Sequence, residues 1–276
     1  MMVITAVLFG FMALFVRLAS ATVPVGMIVC TRYVLSTVIM TAITLTGVAK
    51  VRPVNYRLLV CRSFSASFGA VFYFFAVASI TMSEAVILKY TFPLFAVTFS
   101  ALLFGEKTNR RVVFLLVWSF AGVVVMVNPG AFTLKIGYVW GMLNALSAGA
   151  AVAFVRRLRE TDDSWTIMFF TSIAGLIVSL PLLLQGMVVP VGFDAVYLVL
   201  AGSLGIAAQF SLVYGMRYIK TGSASVIMMI EVVVASLLGI VFLGHIPSLY
   251  QVIGGCMILI GGAFLMTAQG RGARGA

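Results

Sequence analysis

Charge is scarce in this chain, and negative charge scarcest: 9% of its 276 residues are Asp, Glu, Lys or Arg, only seven are acidic, and one is histidine. That inventory excludes most metal-dependent and hydrolytic sites, which need clustered carboxylates or imidazoles. The lone histidine, His245, lies in no H-E-x-x-H, and no G-x-x-x-x-G-K-[ST] loop exists to cradle a nucleotide phosphate. Three cysteines, Cys30, Cys61 and Cys256, sit in or beside apolar runs without C-x-x-C spacing, so they suggest neither a metal site nor a disulfide framework. No polar region is long enough to fold as a soluble domain. The sequence predicts no enzyme and no cofactor.

What is present is apolar: 63% of the residues are hydrophobic and the mean hydropathy is +1.19. About 20 apolar residues cross a bilayer's hydrocarbon. On that measure the runs give ten candidate spans, at 3–20, 25–47, 60–80, 84–104, 111–128, 136–155, 165–186, 194–214, 222–243 and 249–268. The expected fold is an all-α membrane protein, its short connections holding the helices in one bundle. A net charge of +11 would suggest nucleic acid if the basic residues shared a water-facing surface. They recur instead in small groups between apolar runs, a pattern set by membrane insertion.

Ten spans sort the loops into two opposed sets. One holds fourteen of the eighteen basic residues, among them Lys50, Arg52, Arg57, Arg62, Lys107, Arg156 and Arg217; the other holds only Lys135, while Arg17, Arg32 and Lys89 fall inside spans. The positive-inside rule therefore predicts that both termini are cytoplasmic. Ala19-Ser20-Ala21 resembles a signal-peptide cleavage site, but no Lys or Arg precedes the first apolar run and Arg17 interrupts it, so that run is expected to stay as a span.

Sliding the chain by 139 residues lays "SEAVILKYTFPLFAVTFSALLFGEK", Ser83 to Lys107, over "GSASVIMMIEVVVASLLGIVFLGHI", Gly222 to Ile246. Gly105 then meets Gly244, and Gly122 meets Gly261. With five spans in each copy the repeat is inverted, dividing the chain into 1–132, 133–270 and a short basic tail, 271–276. On Pro93, Leu94, Phe104, Gly105 and Glu106, with the weaker counterpart Ile230, Glu231, Val232 and Gly244, the chain resembles the ten-helix EamA-like branch of the drug/metabolite transporter superfamily, and within it the bacterial amino-acid exporters, aromatic ones included. Val232 and His245 depart from the proline and glutamate common in that family. The resemblance implies a central cavity lined by spans 1 to 4 and 6 to 9, a bacterial inner-membrane location, a small-molecule cargo of amino-acid type, and export. A multidrug, nucleobase or cationic-drug transporter of the same fold, or a channel, are the alternatives. A homo-oligomer is allowed but not required.

Charged groups inside spans usually face a bundle interior or a wet cavity. Arg32 and Lys89 fall in the outer third of their spans and Glu231 near mid-membrane, an arrangement that suits a cargo carboxylate met by the cations and an ammonium or proton met by Glu231. Snorkelling to the headgroups is the competing role for Arg17 and Arg32. Uncharged candidates at related depths are Tyr73, Tyr90, Trp140, Asn144, Ser147, Gln209 and Tyr214, for which helix–helix bonding competes with cargo binding. Pro93 removes a backbone donor from span 4 and is the candidate gate or bend. Gly137 with Gly141, and Gly254, Gly255, Gly261 and Gly262, are expected to let helices approach closely.

Overall fold

The computed structural model describes residues 2–105, 110–127, 135–158, 161–215, 228 and 230–272. Its helices are α1 (Met2–Ala19), α2 (Val25–Leu45), α3 (Tyr56–Ser79), α4 (Met82–Lys89), α5 (Phe92–Phe104), α6 (Arg110–Val127), α7 (Ile136–Leu158), α8 (Ser164–Ser179, continued by a 3-10 turn, Leu180–Gln185), α9 (Phe193–Gly215), α10 (Ile230–Leu243) and α11 (Leu249–Gly272). No strand occurs among the described residues. In lipid every backbone polar group needs an internal partner, which a long apolar run obtains only as a helix. Among the described residues seven segments are long and apolar enough to cross a membrane, α4 and α5 together forming one of them, and three shorter apolar helices lie at Val117–Met126, Ile230–Leu243 and Leu249–Gly261. The start of the ninth span, the corner after Gly105 and the last four residues lie outside the described residues.

Local chemistry sets the helix ends. Asn55 and Asp163 accept from the amides of Leu58 and Thr166, and Thr81 with Glu84 forms a reciprocal capping box. Gly105 and Gly244, the residues aligned by the repeat, follow α5 and α10 with φ of 68° and 66°, a conformation that costs glycine nothing.

The fourth span is two helices. Tyr90, at ψ 4°, leaves helical geometry, Thr91 follows as the N-cap of α5, and Pro93 sits in the first turn of α5, where its missing amide would have met the Lys89 carbonyl. Thr91 stitches the break by donating through both its amide (3.0 Å) and its hydroxyl (2.7 Å) to the Leu88 carbonyl.

Packing follows a pairing rule. α3 lies on α7 as α1 lies on α9; α4 and α5 lie on α7 as α10 lies on α1; α3 lies on α8 as α2 lies on α9. The pairs α2 with α8, α4 with α10 and α6 with α11 each map onto themselves when every span is exchanged with the one five further on. α6 and α11 meet almost backbone to backbone: a Cβ on Gly254 would lie 2.5 Å from the Gly122 carbonyl oxygen and 2.5 Å from the Met126 nitrogen. The small-residue faces act here as the sequence predicts.

Side chains lace the two ends of the bundle. At one, Thr22 donates to Asp194 (2.8 Å) and Arg17 donates to the carbonyls of Val77 (3.0 Å) and Ala78. Arg17 thus caps the carbonyl end of α3, a favourable place for a cation. At the other end Asp162 accepts from the amides of Val54 (2.8 Å) and Asn55 (3.2 Å), and the Trp165 indole donates to Thr44 (3.2 Å). One expectation is corrected: Arg62, counted among the loop cations, lies seven residues into α3 and is 6% exposed. α3 starts at Tyr56, behind its Asn55 cap, four residues before the apolar run.

Candidate functional site

Lys89 is the last residue of α4 and Glu231 the second of α10. At 1.5 Å per residue, Lys89 lies about 10 Å, and Glu231 about 18 Å, from the bundle end where α4 begins and α10 stops, so the two elements cross in the interior. There the Lys89 ammonium lies 2.7 Å from Oε1 and 2.8 Å from Oε2 of Glu231. Lys89 keeps 20% of its side chain exposed; Glu231 is fully buried. The break after Lys89 lets α4 stop here and aims Tyr90 at the same carboxylate: its hydroxyl lies 3.0 Å from Oε2 and also reaches the Met228 carbonyl.

Three aromatic rings surround the ammonium. Lys89 Nζ lies 4.5 Å from the ring centre of Phe9 on α1, 5.2 Å from that of Tyr73 on α3 and 5.6 Å from that of Tyr90. Each is within the roughly 6 Å over which a ring face attracts a cation. Together with the carboxylate they form an ammonium-binding cage whose present occupant is the chain's own lysine. Tyr73 is buried, and its hydroxyl has no hydrogen-bond partner of normal geometry.

Arg32 belongs to a second cluster beside the first. With Tyr33, Ser36, Arg62, Thr171, Ser172 and Gln209 it lines a cavity between α2, α3, α8 and α9. The Arg32 guanidinium lies over Tyr33 (5.5 Å) and over Phe74 (5.4 Å), the neighbour of Tyr73. Arg62 donates to the Thr171 hydroxyl, which in turn donates a hydrogen bond to the Ile167 carbonyl (2.7 Å). Ser36 and Ser172 bond each other at 2.6 Å.

The structure therefore divides the residues singled out by sequence. Lys89, Tyr90, Glu231 and Tyr73 converge, Pro93 stands just beyond the helix break, and Arg32 and Gln209 share the neighbouring cavity. Asn144 instead donates to the Gly69 carbonyl at 2.7 Å and Ser147 packs on the same glycine, which puts both on the α3–α7 seam. Trp140 stacks on Phe72 (5.7 Å) and leans on Phe75 (5.5 Å) along that seam. Tyr214 stacks on Phe210 on the outward side of α9, 37% exposed.

Sequence reasoning passed over Phe9, Arg62 and Glu84. Glu84 is 1% exposed and accepts from the Thr81 amide (2.8 Å), the Thr81 hydroxyl (2.7 Å), Gln251 (2.7 Å) and Tyr138, tying α4 to α7 and α11 at the bundle end. Thr-Met-Ser-Glu is a capping-box signature and was the signal available for Glu84; nothing in the sequence marks its distant donors. Among the described residues no cluster could hold a metal ion.

Comparison with known proteins gives this arrangement a context. The chain is similar to the Pseudopaline exporter CntI of Pseudomonas aeruginosa, 29% identical over 263 residues that cover 94% of this chain and 92% of that one. It is 30% identical over 190 residues to an uncharacterized transporter of Archaeoglobus fulgidus, covering 68% of each, and 22% identical to the mouse Solute carrier family 35 member G1, covering 94% of this chain and 75% of that one. A solved crystal structure matches 97% of each chain with a TM-score of 0.62 at 24% identity, which shows a shared fold. The EamA-like transporter family matches residues 1–128 and 135–267. The chain belongs to the EamA-like transporter family and is a membrane transporter, not an enzyme.

Proposed function

We propose that this chain is a secondary transporter that exports a small metabolite of the amino-acid kind, bearing an amine and a carboxylate, across a bacterial inner membrane. The observation that carries the reading is the cage of Phe9, Tyr73, Tyr90 and Glu231, in which an ammonium is held against a fully buried carboxylate. A cargo amine is chemically equivalent to the lysine it would replace. Exchange of one ammonium for the other lets cargo bind without stranding Glu231 in the protein interior, where an unpaired charge is costly.

Alternating access between two inverted halves, 1–132 and 133–270, is the motion we assign to it. The paired packing of α1 on α9 with α3 on α7, and of α2 on α9 with α3 on α8, supports this, since exchanging each span with the one five further on converts one contact into the other. The two segments matched by the family support the same division. The α4–α5 break lies at the crossing with α10, where a change in Lys89–Glu231 bonding would be felt by both halves. Cytoplasmic termini follow from the loop charges, and the exporter among the relatives supports the direction.

Counterflow into proteoliposomes preloaded with a panel of amino acids, nucleobases and organic cations tests the proposal. Saturable exchange confined to compounds with both groups is expected, with loss in Glu231→Gln. Exchange of cations lacking a carboxylate would favour the drug-transporter alternative, and flux that never saturates would favour a channel.

A further inference from the structure

We propose that Arg32 and Arg62 form the anion-binding half of the transport site, and that the cargo therefore carries more carboxylates than amines. The inference rests on the amino-acid reading above and sharpens it to acidic cargoes.

The cavity holding the two guanidiniums, about 70 Å³, has no Asp or Glu among its lining residues. Among the described residues the one ion pair is Lys89 with Glu231. A guanidinium is a fixed cation with donors only, so both arginines call for an anionic partner. Arg62 cannot be dismissed as a snorkelling residue, because it is 6% exposed and its buried Nε has no hydrogen-bond partner. Only its terminal nitrogen is used, on Thr171. Arg32 reaches the cavity from the eighth position of α2 and Arg62 from the seventh of α3, helices that run in opposite directions, so the two side chains converge from opposite ends of the bundle.

Charge balance fixes the class of ligand. Lys89 and Glu231 cancel, and Arg32 and Arg62 remain with two positive charges and no counter-ion from the described chain. A monoamine monocarboxylate would seat its ammonium on Glu231 and bring no net charge. A monoamine with three carboxylates, net −2, balances the two guanidiniums and one with two carboxylates halves the excess, each guanidinium fork offering the two parallel donors that an oxyanion accepts. Arg32 lies over Phe74 (5.4 Å) and Lys89 over its chain neighbour Tyr73 (5.2 Å), so the two clusters meet across adjacent residues of α3.

The test uses the purified full chain in detergent, for ligand-induced thermal shifts, and in proteoliposomes, for inhibition of counterflow. The probes are alanine, glutamate, tricarballylate and inorganic phosphate. Glutamate and tricarballylate are expected to act at concentrations at least tenfold below alanine. That advantage should shrink at least tenfold in Arg32→Gln and Arg62→Gln, with Arg62→Lys, which keeps the charge and loses the fork, in between. Monodisperse elution establishes folding; if Arg62→Gln fails it, Arg32→Gln and Arg62→Lys carry the test. Alanine as effective as glutamate, with tricarballylate inert, overturns the acidic-cargo assignment and leaves the amino-acid reading standing. Phosphate acting where the carboxylates do not overturns it in favour of a phosphorylated cargo, and absence of counterflow with every amino acid removes the parent reading too.

Discussion

Lys89 and Glu231 meet with unequal exposure: the ammonium keeps a fifth of its surface open while the carboxylate keeps none. On the proposed reading, a cargo ammonium would approach from the lysine's side and meet Glu231 only by moving Lys89.

That asymmetry predicts how the pair fails. Glu231→Gln leaves an ammonium among three rings with no counter-charge and should destabilise the protein by about 3 kcal/mol, the scale for breaking a buried pair from one side. Lys89→Met should cost less, because Glu231 keeps the Tyr90 hydroxyl as a hydrogen-bond donor at 3.0 Å. The double variant should be more stable than the sum of the singles predicts, by roughly 1 to 3 kcal/mol. Thermal unfolding of all four proteins in one detergent measures the cycle, and additive singles would mean that the pair is not energetically coupled.

Gly254→Ala tests the α6–α11 seam. The new methyl would lie 2.5 Å from backbone atoms of Gly122 and Met126, which cannot rotate away, so the helices must separate. A loss of about 1 to 3 kcal/mol is expected, the usual cost of overpacking. The control is Gly47→Ala: that loop glycine has nothing within 4 Å of its Cβ position, and its φ of 76° makes the change strained without any packing clash. Similar melting curves with and without the Gly254 substitution would show that the seam is looser than the backbone contact implies.

What was legible in the sequence was position along a helix; what was not was direction around it. The apolar runs locate the helices within a few residues, Pro93 marks the break in the fourth span, and the glycines mark close approaches, because each is a property of local chain chemistry. Lys89 and Glu231 could be placed at related depths but not paired, since they are 142 residues apart. Asn144, Ser147 and Tyr214 have the depth of cavity residues, yet packing rotates the first two onto the α3–α7 seam and the third outward. Arg62 was misplaced for a different reason. It lies only two residues inside the run 60–80, close enough to the polar stretch before it to resemble a loop cation, whereas α3 starts at Tyr56 and carries it into the packed interior.

Glu84→Gln should weaken the bundle end where α4, α7 and α11 meet. The carboxylate accepts from four donors, and an amide turns one of its two acceptor atoms into a donor facing them. A loss of about 1 to 3 kcal/mol is expected from the stranded donors. Gln251→Leu removes only one of those donors and should cost less. Melting temperatures rank the two, and the reverse order would mean that Glu84 acts as little more than a helix cap.

The final prediction concerns orientation, which rests on loop charge. The loop between α2 and α3 contains Lys50 and Arg52, whereas the loop joining the 3-10 turn to α9 contains no Lys or Arg. Val48 in the first is 83% exposed and Val189 in the second is 82% exposed, so a cysteine at either site disturbs no packing. Asp163 is a poorer reporter because its side chain caps α8. Cys61 and Cys256 are exposed and Cys30 is buried, so all three are replaced first. In intact cells an impermeant maleimide should then label Val189→Cys and spare Val48→Cys, which should react only after the membrane is opened. The positive-inside argument requires that order, because the basic loop is the one retained in the cytoplasm. Labelling of Val48→Cys from outside would invert the whole bundle, put both termini outside the cytoplasm, and turn the bundle end held by Glu84, Tyr138 and Gln251 toward the cytoplasm.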